Sequence, residues 1–117
     1  MTDNTEVAID AETKHAVEVF RHRLVDRYAV RGTFLFGSRA RKDHRPGSDA
    51  DLAVLLGGEP GSRVDVALDL ADIAFDTMLE TGILIEPIPF WEDEWEHPEQ
   101  FTNPALIENI RHDGVRL

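Results

Sequence analysis

The sequence predicts an α+β (mixed α/β) domain in which a small mixed sheet is flanked by helices. Three observations carry this. Apolar runs of strand length, from Val30 to Phe36, Leu52 to Leu56 and Gly82 to Phe90, alternate with stretches whose apolar residues recur at helical spacing. Turn-forming residues punctuate the boundaries at Gly37, Pro46-Gly47, Gly57 to Gly61 and Gly82. A chain of 117 residues is long enough for one hydrophobic core and too short for two.

Residues 1–10 carry little apolar content and are expected to be flexible, leaving 11–117 as a single domain. From Ala11 to about Tyr28, the positions Val17, Phe20, Leu24 and Tyr28 predict an amphipathic helix. His15 and His22, seven apart on it, read as surface residues. Val30 to Phe36 is the first strand, and a short helix follows from Ser38 to about Asp43. His44 to Ser48 is a loop whose Pro46-Gly47 pair favours a turn, and it delivers Asp49 to the second strand.

Ser62 reads as an N-cap with Asp65 three residues on, and Gly82 as the C-terminal cap of the helix it opens. That helix carries Val64, Leu68, Ala71, Phe75 and Met78 on one stripe and Asp65, Asp69, Asp72 and Asp76 on another. The acidic stripe reads first as a solvated face and second as a docking face. Pro87 and Pro89 point to an edge position for the third strand or to its early end. In WEDEWEHPEQF, Trp91 and Trp95 are four apart and would share one helical face, as cover for the core or, less simply, as anchors for a partner. Asn103-Pro104 is an N-cap followed by proline at N1, opening a helix with Leu106, Ile107 and Ile110 inward and Gly114 as its stop.

The chemistry concentrates between Thr33 and Leu56. Asp49 and Asp51 open the second strand at positions i and i+2, and side chains on a strand alternate, so both carboxylates leave one face. Two anions held that close repel unless a cation sits between them. Hard divalent cations such as Mg²⁺ take oxygen ligands of this kind, often together with substrate phosphates. Gly37 lets the backbone turn tightly after the first strand, and a helix starting at Ser38 aims unpaired N–H groups outward, toward a phosphate. The Ser38 hydroxyl either caps that helix or meets a phosphate oxygen. Arg39, Arg41, Lys42 and Arg45 place four of the twelve basic residues in seven positions beside this turn, with Arg39 and Arg41 the first candidates for a triphosphate.

Gly37-Ser38, then Ser48-Asp49-Ala50-Asp51 ten positions on, then an apolar strand, resembles the signature of the DNA-polymerase-β-like nucleotidyltransferases. The match is to their minimal form, the MNT-type domain that often accompanies a HEPN-domain partner. The resemblance implies a polymerase-β-like fold and an activity that moves a nucleotide, commonly AMP from ATP, with Mg²⁺ as cofactor. It assigns Gly37 and Ser38 to the nucleotide and Asp49 and Asp51 to the metal, and Arg39, Arg41 and Ser48 are the further candidates for the nucleotide. The family uses a third carboxylate, usually Asp, on the adjacent strand. Glu86 is the one carboxylate on the third strand and is the candidate third ligand and general base, although it is a methylene longer and Pro87 follows it. If Glu86 points away, activity is weak or absent, and the protein is a binding module that neutralises its partner by contact.

Composition bounds the rest. There are no cysteines, so disulfides, thiolate nucleophiles and zinc–thiolate sites are excluded. A formal net charge of −11 opposes stable binding to nucleic acid, which rests on Lys and Arg neutralising phosphates, and suits a basic protein partner. No apolar run reaches the length of a membrane span, and the polar, acidic start is unlike a signal peptide, so a cytoplasmic protein is the expectation. ATP or another NTP and a HEPN-type toxin are the expected partners, in a toxin–antitoxin pair with this chain as antitoxin. Self-association is left open by the sequence.

Overall fold

The computed structural model describes residues 9–45 and 47–117. The elements follow in the order α1 (Ala11–Leu24), β1 (Val30–Phe36), α2 (Ser38–Arg41), β2 (Ala50–Leu56), α3 (Arg63–Thr81), β3 (Ile85–Trp91), α4 (Glu92–Glu96), a 3₁₀ turn (Pro98–Gln100), α5 (Pro104–Asp113) and β4 (Val115–Arg116). They form a four-stranded sheet ordered β3-β2-β1-β4. β1 runs antiparallel to β2 and β4, while β2 and β3 are parallel, so the sheet is mixed. Pro87 and Pro89 do lie on an edge strand, where a missing N–H costs no ladder bond.

Alternation along the strands divides the core into two layers. Leu52, Val54 and Leu56 of β2 pack with Leu35, Ile85 and Trp91 under α1 and α3. Ala53 and Leu55 face the other way, with Phe90, under α4 and α5 through Trp95, Ile107 and Ile110. A strand buried on both faces reads as an unbroken apolar run, which is how ADLAVLL reads after its aspartate.

The helix ends follow their cap residues. Ser62 Oγ accepts from the Asp65 amide and Gly82 ends α3 with φ 81°. Asn103 Oδ1 accepts from the Leu106 amide, with Pro104 at N1. Asp10 caps α1 by accepting from Thr13, and Ile9 is buried in the core. The flexible segment expected over 1–10 therefore falls outside the described residues over 1–8, while residues 9 and 10 belong to the fold. Pro46 also lies outside them; beside it, the Ser48 amide donates to the Arg45 carbonyl at 3.0 Å and Gly47 has φ 87°, as a turn requires.

Two expectations are corrected. α3 buries Leu70, Ile73, Ala74 and Thr77, whereas Val64, Leu68 and Phe75 of the apolar stripe read from the sequence face outward. Trp91 and Trp95 share no helical face, because Trp91 ends β3 and enters one core layer while Trp95 lies on α4 and enters the other. Both rings are buried, so they serve the core, with Trp95 stacked on Phe34 at 4.9 Å. No described helix is long and apolar enough to cross a membrane.

Candidate active site

The end of β1, the start of β2 and the start of β3 meet at one corner of the sheet. Phe36 pairs with Asp51, and Asp51 pairs with Glu86 on the parallel neighbour. Paired residues share a face, so Asp51 and Glu86 leave the sheet on the same side. That side is the layer of Ala53, Ile88 and Phe90, which α4 and α5 cover only farther along the strands. Asp49 lies one residue ahead of β2, which begins at Ala50 and not at Asp49, and reaches the group from the loop through a hydrogen bond shared with Glu86. The backbone is fixed here by the Ala50 amide donating to the Leu84 carbonyl at 2.9 Å, which sets the register of β2 on β3.

The electrostatics show how close the three groups stand. A hydrogen bond shared with Asp49, partial desolvation, and the charges of Asp49 and Asp51 push the Glu86 carboxyl up to about 7. Asp51 is also raised, by burial first and by Asp49 second, with the Arg41 guanidinium acting in the opposite sense. Among the described residues, no group of three or more His, Cys, Asp or Glu is arranged to grip a metal ion in this conformation. The donor set nevertheless suits a hard divalent cation, being all carboxylate oxygen, and the crowding of like charge is what such a cation relieves.

Gly37 turns the chain at the end of β1 with φ 76° and ψ −156°. A Cβ there would fall inside contact distance of Asp51 Oδ2, so only glycine lets the turn pass so close to the carboxylate. Gly37 occupies the N-cap position of α2, and Ser38 is the first helical residue. The Ser38 hydroxyl therefore does not cap α2, which removes one of its two readings.

The basic cluster separates into two kinds. Arg41 is exposed, rests on Asp43 at 3.2 Å, and lies near enough to Asp51 to lower its pKa. Arg39 departs from the expectation of a triphosphate ligand because it is buried, at 4% exposure, with its donors already committed. Its Nε and Nη2 donate to the Ser48 carbonyl at 2.9 and 2.7 Å, and its Nη1 donates to Thr13 Oγ1 at 2.8 Å. Ser48 is likewise engaged within its loop, its Oγ accepting from the Arg45 amide at 3.1 Å. Arg39 thus ties α2 and α1 to the residue that precedes Asp49. Thr13 and Asp10, which complete this tie through a 2.6 Å hydrogen bond, were not legible from the sequence, since nothing in the order of residues links α1 to the loop.

A family model described as Polymerase beta, Nucleotidyltransferase matches residues 18–87, more than half of the chain and a span that holds Gly37, Ser38, Arg39, Arg41, Ser48, Asp49, Asp51 and Glu86. The chain belongs to this nucleotidyltransferase family. Among solved structures, a mutant of the toxin–antitoxin complex MntA–HpeT is similar over 89% of this chain and 70% of the matched chain, at 14% identity and a TM-score of 0.56. At that identity the likeness shows the fold. A candidate nucleotidyltransferase from Sulfolobus solfataricus covers 92% of this chain and 86% of its own, at 16% identity and a TM-score of 0.45, too low to carry an argument. Comparison with curated proteins gives no match. In this nucleotidyltransferase the family match ends at Pro87, one residue past Glu86, so all three carboxylates lie within it.

Proposed function

We propose that the chain from Ile9 to Leu117 forms a minimal nucleotidyltransferase domain that moves AMP from ATP to a hydroxyl on a protein acceptor, in the cytoplasm. The observation that supports it best is the placing of Asp51 and Glu86 on one sheet face, with the Asp49 carboxyl against Glu86, beside the Gly37-Ser38 turn. The acceptor oxygen attacks the α-phosphorus in line, the bond to the β-phosphate oxygen breaks, and pyrophosphate leaves. Gly37 and Ser38 hold the β- and γ-phosphates, and Arg41 offers its charge to the same group. Asp49, Asp51 and Glu86 would hold Mg²⁺, which when bound neutralises phosphate charge. Glu86 takes the proton of the acceptor hydroxyl. Most of the protein's contribution in such a reaction is positioning, and Arg39 serves it by anchoring the loop that delivers Asp49.

The acceptor we infer is a HEPN-type toxin, modified and silenced by this chain as antitoxin. The toxin–antitoxin complex among the similar structures supports that direction. Intact-mass spectrometry of the protein encoded beside this one tests it, after incubation with the chain, Mg²⁺ and each NTP. A gain of one nucleotide, absent with Asp49→Ala/Asp51→Ala, is the expected result. A second reading, a binding protein that silences its partner by contact, draws on the exposed glutamate where the family usually has aspartate. It predicts neutralisation that survives the double substitution.

A further inference from the structure

α3 buries one face and leaves the opposite one bare. Leu70, Ile73, Ala74 and Thr77 pack inward. On the outward side Val64, Leu68, Phe75 and Leu79 are 68, 63, 53 and 69% exposed. Their spacing of four, seven and four residues, with exposed Ala71 in the gap, keeps them on one stripe along about 22 Å of helix. Single exposed apolar side chains are ordinary, but a continuous stripe of this length marks an interaction surface.

Its border states what kind of partner fits. Asp65, Asp72 and Asp76 run along one edge of the stripe, exposed and in no salt bridge among the described residues. Asp69 and Glu80 continue the row and are spent on Arg27 and Arg23 of the α1 side. A second copy is a poor occupant, because an isologous antiparallel helix pair sets this acidic edge against its own image, on a chain of net charge −11. A helix with the same kind of apolar stripe and a cationic border meets both features at once.

We propose that the outward face of α3 docks an amphipathic helix of a protein partner, with the partner's apolar stripe edged by Arg or Lys. The surface lies on the α1/α3 layer, and the carboxylates lie on the other side of the sheet, so docking leaves them open. The proposal depends on α3 alone and stands or falls separately from nucleotide transfer.

The test uses two labelled synthetic peptides with the same leucine stripe, one bordered by arginine and one by glutamate, titrated with the whole chain in a fluorescence anisotropy assay. The arginine peptide is expected to bind at least about tenfold more tightly, a difference that shrinks as salt rises. Leu68→Glu and Phe75→Glu are expected to weaken it about tenfold or more, with the circular dichroism and melting temperature unchanged because both side chains are exposed. These substitutions add negative charge, so purely electrostatic attraction would tighten binding instead, and that result overturns the proposal. Equal binding of both peptides, or of neither, overturns it too. Sedimentation showing a dimer that Phe75→Glu dissociates would assign the face to a second copy.

Discussion

Gly37 rests directly against the carboxylate of Asp51, with no room between them for a side chain. The turn after β1 and the first residues of β2 are therefore one unit, and the close approach that a phosphate would need is the same one that excludes a Cβ. Gly37→Ala combines a clash with a φ of 76° that alanine rarely adopts. It should destabilise the fold by about 1–3 kcal/mol in denaturant titration. Nucleotide binding, measured by calorimetry under native conditions, should fall further than the stability loss accounts for.

Glu86 gives the site a pH signature. Its carboxyl is held up at about 7, above the ordinary 4.5, by Asp49, desolvation and Asp51. A group raised in the folded state contributes stability that is complete below pH 4.5 and is lost as pH rises through about 7. Melting temperatures in chelator should accordingly fall across that window, and Glu86→Gln should flatten the fall. Adding Mg²⁺ should raise the melting temperature more at pH 8 than at pH 5. The same substitution should cut nucleotide transfer by about 10²–10⁴ if Glu86 is the base.

Two arginines two residues apart should behave oppositely. Arg39→Met strips three donated hydrogen bonds from a buried position and should cost about 1.5–3 kcal/mol of stability. Arg39→Lys should recover little, since an ammonium cannot reproduce the fork on the Ser48 carbonyl. Arg41→Ala should leave stability within about 0.5 kcal/mol and raise the KM for ATP. Equal losses of stability in Arg39→Met and Arg41→Ala would remove the anchoring role.

A second titration lies far from the site. Tyr28 Oη donates to Asp69 Oδ2 at 2.6 Å, and desolvation and then that bond push the phenol up to about 12. Its stabilising contribution is complete below pH 10 and is lost as pH rises toward 12. Ultraviolet titration should show this lone tyrosine ionising late, and Tyr28→Phe should remove the corresponding step in alkaline stability.

The sequence made the order of elements readable because each is written locally, in helical spacing, in Ser62 and Asn103 as caps, and in Pro87 and Pro89 as marks of an edge. The side taken by Asp51 was readable for a similar reason, since alternation along β2 follows from residue order, whereas Asp49 lies in the loop one residue ahead of the strand. What failed was information held between elements. α3 has two apolar faces, and periodicity gives the angle between them without saying which one turns inward. Arg39 looked like its neighbours in a basic run, and its acceptor is a backbone carbonyl, which no side-chain pattern reveals. Trp91 and Trp95 seemed one face because the junction of β3 and α4 between them is set by the Glu94 carboxylate accepting from the Trp91 amide, at 3.1 Å. β4, at two residues, exists only through its pairing with β1.

The edge formed by β3 settles how this domain is able to meet others. Pro87 and Pro89 alternate with Glu86 and Ile88, so the two central positions that face away from β2 carry no N–H, and the Trp91 amide at the end of the strand is spent on Glu94. Arg63, at the start of α3, donates to the Pro89 carbonyl at 2.6 Å, pairs with Glu94, and lies over the rings of Trp91 and Phe101. Strand addition is blocked on the side where the carboxylates stand. Growth of the sheet into a larger sheet, the route to fibres and to many peptide complexes, is hindered along this edge, while the opposite edge is formed by the two residues of β4.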